Sequence, residues 1–80
     1  MKITLIAYGI AKEIIGSREI SYEISEPASV KTLLEKLEKD YPRLHGLSSL
    51  RVAINSEYAL GNQAILAMDE VVLIPPVSGG

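Results

Sequence analysis

The sequence has 80 residues, of which 48% are hydrophobic, and a formal net charge of -2. A chain of this length is expected to form a single domain (1–80) with a small core, because it can bury only about 60–65% of its unfolded surface. The weak, evenly spread negative charge argues against nucleic acid or an anionic membrane as the main partner. The absence of cysteine excludes disulfides, a thiolate nucleophile and a zinc–thiolate site.

The N-terminal segment is only faintly similar to a secretory signal peptide. Its apolar run, residues 1–8, is short, and Lys12 and Glu13 follow it without a small-residue cleavage site. No stretch approaches the ~18 apolar residues that a membrane-spanning helix requires. We therefore expect a soluble, cytoplasmic protein.

Three elements are predicted before the first proline. Residues 2–8 form a strand that is apolar on both faces, which is typical of a central strand. Gly9 ends this strand, and residues 10–15 form a short helical turn that Gly16 ends. Residues 19–25 alternate between apolar and polar side chains, which predicts a half-buried strand paired with the first one as an antiparallel hairpin.

The main helix is predicted to follow Pro27. Ser29 is a suitable N-cap, and Tyr41-Pro42 ends the helix after about twelve residues, because a residue before proline disfavours the helical conformation. The apolar residues between these ends recur with helical spacing and line one face. They are Val30, Leu33, Leu34, Leu37 and Tyr41.

The second half of the chain predicts three more strands. The predicted strands are 51–55, a short one at 58–60, and the last strand at 71–74. Turns are predicted at 55–57 and at Asp69-Glu70, and the segments 43–50 and 61–68 are predicted to be irregular. The resulting order is β-β-α-β-β-β. It predicts an α+β fold, in which one mixed sheet has a single main helix packed on one face.

The first and last strands carry apolar residues on both faces of the predicted sheet. One face has Ile6, Tyr8, Val72 and Ile74, and the other has Ile3, Leu5, Val71 and Leu73. A single helix can cover only one of these faces. The other face either contacts water or docks on another protein.

The last eight residues read Leu-Ile-Pro-Pro-Val-Ser-Gly-Gly. Pro75 and Pro76 cannot donate hydrogen bonds to a sheet, so they end the last strand and stiffen the segment after it. Gly79 and Gly80 have no side chains and therefore suit a narrow channel. Two adjacent glycines are expected by chance at a given place in about 0.5% of sequences. The pattern predicts a flexible tail (75–80) with a reactive terminal carboxylate, and the alternative is a frayed terminus.

Residues 69–80 closely resemble the C-terminal signature of the MoaD family, the small sulfur-carrier subunit of molybdopterin synthase. Residues 12–16 and 29–33 fit the same family at matching spacing. The resemblance covers the whole chain and implies a ubiquitin-like β-grasp fold. It also implies that a partner enzyme uses ATP to adenylate the carboxylate of Gly80. Sulfur then replaces AMP to give a thiocarboxylate, which donates sulfur to the pterin precursor in molybdenum cofactor biosynthesis.

The same resemblance implies site residues and partners. Gly80 carries the sulfur, and the residues expected to contact partners are Gly79, Ser78, Val77, Pro76, Pro75, Ile74, Tyr8 and Tyr58. The expected partners are the large catalytic subunit (MoaE-like), assembled with this chain as a heterotetramer, and a ubiquitin-activator-like adenylating enzyme (MoeB-like). No tightly bound cofactor, no metal, no nucleic acid and no membrane partner is expected.

Two positions depart from the pattern of the family. Many relatives have glycine before the Asp-Glu turn, where this chain has Met68, and many have phenylalanine before the prolines, where it has Ile74. The first departure concerns the geometry of the turn, and the second concerns docking.

Two other functions would use the same tail chemistry. One is sulfur transfer in thiamine thiazole formation or tRNA thiolation, although thiazole carriers are usually shorter and lack the two prolines. The other is a ubiquitin-like protein modifier that is conjugated to lysines through Gly80. An enzyme that acts alone is not expected, because His45 is the only histidine and has no cysteine, paired carboxylate motif or H-x-x-x-H spacing near it in the sequence.

Overall fold

The computed structural model describes residues 1–47 and 50–75 of the chain. The strands are β1 (Lys2–Ala7), β2 (Glu19–Glu23), β3 (Ala28–Ser29), β4 (Arg51–Ile54), β5 (Glu57–Tyr58), β6 (Ala64–Ile65) and β7 (Glu70–Ile74). The helices are α1 (Gly9–Ile15), α2 (Val30–Asp40) and a 3-10 helix (Pro42–Gly46). Within the described residues, no helix is both long and apolar enough to cross a membrane.

Five strands form one mixed sheet in the order β2-β1-β7-β4-β5. β1 and β7 lie at its centre and run parallel, with Leu5 beside Val71 and Ala7 beside Leu73. The other pairs, β1 with β2, β4 with β7 and β4 with β5, are antiparallel. The predicted antiparallel pairing of the first two strands and the central position of the first strand are therefore confirmed, and the last strand is central as well.

Helix α2 begins where the sequence predicts. The Ser29 side chain accepts a hydrogen bond from the Thr32 backbone N–H, and the Thr32 hydroxyl oxygen accepts one from the Ser29 N–H at 2.8 Å. This reciprocal capping box satisfies two backbone donors that the first turn of a helix leaves free. The helix ends at Asp40, directly before Tyr41-Pro42, and buries Val30, Leu33 and Leu37.

The structure shows which face of the sheet α2 covers. Ile3, Leu5, Val71 and Leu73 are at most 2% exposed and belong to the same core cluster as the buried face of α2. Burying each of these side chains stabilises the fold by about 1.5–3 kcal/mol. Ile6 and Val72 point to the opposite side of the sheet and are only half-buried.

Three segments differ from the sequence prediction. The predicted irregular segment 43–50 overlaps the 3-10 helix, which buries Leu44, and segment 61–68 contains β6, which pairs with β3. Glu70 belongs to β7 rather than to the turn before it. These elements are two to five residues long and form through contacts with distant segments, so they leave no periodic pattern in the sequence.

The turn before β7 has a left-handed residue that is not glycine. Met68 has a φ of 70° and a side chain that is 89% exposed. Its N–H donates to the Lys2 carbonyl at 3.1 Å, and the Asp69 carboxylate accepts a hydrogen bond from the Leu66 N–H at 2.8 Å. The turn therefore forms without the glycine that many relatives have at this position.

Tyr22 of β2 ties the sheet to the end of α2. Its hydroxyl donates a hydrogen bond to the Asp40 carboxylate, and Lys36 Nζ lies 3.1 Å from Asp40 Oδ2. The pKa of Asp40 is lowered mainly by the hydrogen bond from Tyr22 and to a smaller extent by the hydrogen bond from Lys36. The pKa of Tyr22 is raised mainly by burial and to a smaller extent by the hydrogen bond to Asp40. The pair therefore favours a neutral tyrosine and an ionised carboxylate.

Replacing Met68 with glycine should raise the free energy of unfolding by about 1 kcal/mol, because a left-handed backbone strains an L-residue but not glycine. The exposed side chain contributes little burial that could be lost. Urea unfolding of the two proteins measures the difference. The control is Leu66→Gly in the same turn, which should destabilise the protein because Leu66 does not have positive φ. If Met68→Gly loses as much stability as the control, the left-handed backbone at Met68 is not strained.

Replacing Asp40 with asparagine should lower stability at neutral pH and remove part of its acid dependence. The pKa of Asp40 is lower in the folded state than in the unfolded state, where it is about 3.9. Ionised Asp40 therefore contributes fully to the stability of the fold above about pH 4. This contribution is lost as the pH falls through the lower pKa of the folded state. The stability difference between the wild type and Asp40→Asn should therefore shrink below about pH 4. Urea titrations across this range measure it, and Tyr22→Phe should show a similar convergence. A difference that is independent of pH would refute this role for Asp40.

Candidate docking face and root of the tail

The side of the five-stranded sheet away from α2, here called the open sheet face, has a continuous row of side chains. Ile6 lies beside Val72, Val72 beside Ala53, and Ala53 beside Tyr58. Because successive residues of a strand point to opposite faces, these four side chains share one side. Ile74 extends the same face toward the end of β7. The row crosses four of the five strands.

Burial along this face is graded. Ile6, Val72 and Ile74 are half-buried. Ala53 is only 8% exposed, although it lies outside the core cluster under α2. Tyr58 at the outer strand is 71% exposed. An apolar centre with an exposed tyrosine at its border is typical of protein–protein interfaces, where tyrosine is enriched among the residues that dominate binding energy.

Tyr8 borders the opposite side of this face. It follows β1, has an extended backbone with φ of -126° and ψ of 161°, and is 45% exposed. The guanidinium carbon of Arg18 lies 5.7 Å from the centre of its ring, a cation–π contact that stabilises by about 0.5–1 kcal/mol at an exposed site. Arg51 lies beside Ile74 across the β4–β7 pair. The two arginines add positive charge to a chain that is slightly acidic overall.

The root of the tail lies where β7 ends beside the first turn of α1. Pro75 is half-buried and is the last residue of this segment that the structure describes. Gly9 has a φ of +54°, and a Cβ atom added to it would lie 3.2 Å from Cγ of Pro75. The Tyr8 carbonyl accepts hydrogen bonds from the Ala11 and Lys12 N–H groups at 3.1 and 3.3 Å. Gly9 and Pro75 are therefore packed against each other at the edge of the open sheet face.

The structure brings together four of the residues that the sequence singled out. Ile74, Tyr8 and Tyr58 lie on the open sheet face, and Pro75 follows directly. Tyr8 and Tyr58 are three strand spacings apart, roughly 14 Å, so they can contact separate parts of one partner surface. Their docking role stays a prediction. The other predicted site residues lie outside the described residues: Pro76, Val77, Ser78, Gly79 and Gly80.

Sequence reasoning missed three features of this region. Ala53 was assigned to a strand but not to the open sheet face, and Arg18 was not connected with Tyr8. Gly9 was interpreted only as the end of a strand, although a glycine directly after a strand can also mark a close approach of another segment. That signal does not identify the approaching residue, Pro75, which is distant in sequence. The described side chains of this region form an apolar and aromatic surface that has charged residues of both signs at its borders, Arg18 and Arg51 together with Glu19 beside Ile6.

Comparison of the sequence with protein families and with curated proteins gives matches that agree with one another. The ThiS family model matches residues 6–80. The molybdopterin synthase sulfur carrier subunit of Chlamydomonas reinhardtii is 31% identical over 83 aligned residues, which cover 100% of both chains. The small archaeal modifier protein 1 of Haloferax volcanii is 32% identical, with 85% of this chain and 88% of that protein covered.

The structural comparison agrees with the sequence comparison. The crystal structure of the H. volcanii modifier superposes with a TM-score of 0.82 and 26% identity, covering 95% of this chain and 98% of that one. The ubiquitin-like β-grasp fold implied by the sequence is therefore confirmed. The match to residues 6–80, together with the full-length similarity, shows that this chain belongs to the ThiS family.

Proposed function

We propose that this chain is the sulfur carrier subunit of a molybdopterin synthase and that the carboxylate of Gly80 is its reactive group. The observation that supports this most is the path of β7. This central strand leads directly into Pro75 at the edge of the open sheet face. A Gly-Gly sequence follows Pro75 after three further residues. The full-length similarity to a sulfur carrier subunit adds support from an independent direction.

The proposed chemistry takes place in the active sites of partner proteins. An adenylating enzyme binds ATP, a Gly80 carboxylate oxygen attacks the α-phosphorus, and pyrophosphate leaves. A hydrosulfide equivalent then attacks the acyl carbon and expels AMP, which gives the thiocarboxylate. The thiocarboxylate sulfur adds to the pterin precursor, and hydrolysis of the acyl–sulfur bond restores the carboxylate. This chain supplies the bare backbone terminus and no catalytic side chain, so we propose a non-catalytic, cytoplasmic subunit.

The open sheet face is the proposed docking surface for the large catalytic subunit. Its centre is apolar, and its borders hold Tyr58 on one side and Tyr8 on the other. A partner that covers this face lies beside Pro75 and can receive the segment that follows it. Docking and tail delivery would then occur at one continuous interface, which restricts the orientation of the tail and lowers the entropic cost of its insertion.

A protein modifier conjugated through Gly80 is the second candidate. It is favoured by the 32% identity with a protein named as a small archaeal modifier. Both functions begin with adenylation of the terminal carboxylate. They differ in the final bond at the acyl carbon of Gly80, which is a bond to sulfur in the carrier and an amide bond to a lysine of a target protein in the modifier.

Incubation with ATP, an adenylating enzyme and a sulfide donor should replace one oxygen of the chain by one sulfur. Intact-mass spectrometry measures the exchange. A variant without Gly79 and Gly80 should gain no sulfur, while its unfolding curve should match that of the full chain, because a glycine has no side chain that could contribute to a core. If this variant still supports formation of molybdopterin, the proposed function is wrong. A ladder of lysine conjugates in cell lysate, without sulfur exchange, would favour the modifier instead.

Replacing Tyr58 with alanine should weaken binding to the large subunit at least about tenfold, or about 1.4 kcal/mol, because exposed tyrosines often dominate an interface. Stability should change little, since the side chain is 71% exposed. Titration calorimetry measures the dissociation constant. The matched control is Leu66→Ala, which truncates a side chain that is 66% exposed but lies in the turn after β6. Equal dissociation constants for the two variants would exclude Tyr58 from the docking surface.

A further inference from the structure

Two features of the structure favour glycine at position 9, its backbone conformation and its close approach to Pro75, and mutations can test them separately. Its φ of +54° strains any L-residue, and the Cβ atom of such a residue would lie 3.2 Å from Cγ of Pro75. Carbon atoms in favourable contact are about 3.5–4.0 Å apart. A side chain at Gly9 would therefore push the Pro75 ring away from the first turn of α1. The bare Cα of Gly9 allows the observed close packing.

Pro75 lies beyond the hydrogen bonds of β7. It follows the last residue of this strand and has no N–H, so it cannot extend the sheet hydrogen bonds that hold Ile74 and the residues before it. Packing of its ring therefore contributes to the direction in which the chain leaves the sheet. Gly9 is one of the groups against which this ring packs.

We propose that Gly9 is a positioning residue for the tail, acting through Pro75. By leaving room for the proline ring, Gly9 fixes the point and the direction from which residues 76–80 continue toward the partner. This inference rests on the proposed carrier function, since positioning matters only where the tail must enter an active site. A misplacement of about 1 Å can reduce a rate by about 100-fold. A Cβ atom at Gly9 requires the Pro75 ring to shift by a few tenths of an ångström, so the expected loss of rate is smaller but measurable.

The chain contains a matched control at the other end of the same helix. Gly16 has a φ of +89°, and a Cβ atom added there meets nothing within 4 Å. Gly9→Ala and Gly16→Ala both place an L-residue in the left-handed region, but only Gly9→Ala disturbs Pro75. Any difference between the two that exceeds their difference in stability therefore reports on the contact.

The first experiment measures sulfur transfer from the thiocarboxylated chain to the pterin precursor with purified large subunit. Gly16→Ala should retain wild-type kcat and KM at a temperature where both variants are folded. Gly9→Ala should lose about threefold to tenfold in kcat with little change in KM, because the open sheet face is intact. Equal kcat values for the two variants would overturn the proposal.

The second experiment removes Cγ of Pro75, the atom that a Cβ atom at Gly9 would displace. Pro75→Ala deletes Cγ, so Gly9→Ala should have a much smaller effect on kcat in a Pro75→Ala background than in the wild type. A double-mutant cycle gives the coupling between the two residues. If the loss caused by Gly9→Ala is the same in both backgrounds, Gly9 does not act through Pro75 and the proposal is wrong.

A measurement that does not depend on sulfur transfer tests the positioning role of Gly9 separately from the proposed carrier function. NMR of the free protein should show nuclear Overhauser contacts between the Gly9 α-protons and the Pro75 ring. The amide shifts of residues 77–80 should change in Gly9→Ala and stay unchanged in Gly16→Ala. Absence of these signatures overturns the positioning role. Their presence in a wild-type chain that never acquires sulfur would instead refute the carrier function, and leave Gly9 as the residue that orients the tail of a modifier.

Discussion

The parallel pairing of β1 with β7 is the constraint on which the rest of the structure depends. It joins segments that are more than sixty residues apart in sequence and places them at the centre of the sheet. Because Ala7 lies beside Leu73, the residues that follow each strand also become neighbours, and Gly9 contacts Pro75. The same pairing that builds the core therefore determines where the tail begins. The fold and the proposed function share one structural origin.

The two faces of this strand pair serve different purposes. The face under α2 is closed: Leu5, Val71 and Leu73 are at most 1% exposed and provide much of the hydrophobic stabilisation. On the other face, Ile6 and Val72 remain half-buried, since a single helix of eleven residues covers one side only. A small domain that leaves apolar surface open gives up stabilisation it could otherwise gain, which is consistent with a surface kept for a partner.

Features that depend on local periodicity were predictable, whereas features that depend on long-range contacts were not. The Ser29 cap and the apolar face of α2 follow from spacing within one segment, and the structure confirms both. The apolar residues on both faces of the first strand correctly predicted its central position, but they did not predict which face the helix covers. Ala53 on the open sheet face, the β3–β6 pair and the Gly9–Pro75 contact each require a register between distant segments. A single sequence does not encode that register in any local pattern.

The shared chemistry of carriers and modifiers indicates where their specificity must lie. Both activate a terminal carboxylate, and the same β-grasp fold presents it, so neither the tail nor the core distinguishes the two functions. Discrimination must then come from the surface that selects the partner. The proposed docking surface of this chain combines exposed Tyr58 and Tyr8 with Arg18 and Arg51. Ile74, where many relatives have phenylalanine, makes it less bulky beside the tail. A partner that matches the proposed docking surface would need an apolar group opposite Ile74 and polar groups that complement both the arginines and Glu19. The identity of that partner would then determine which reaction follows.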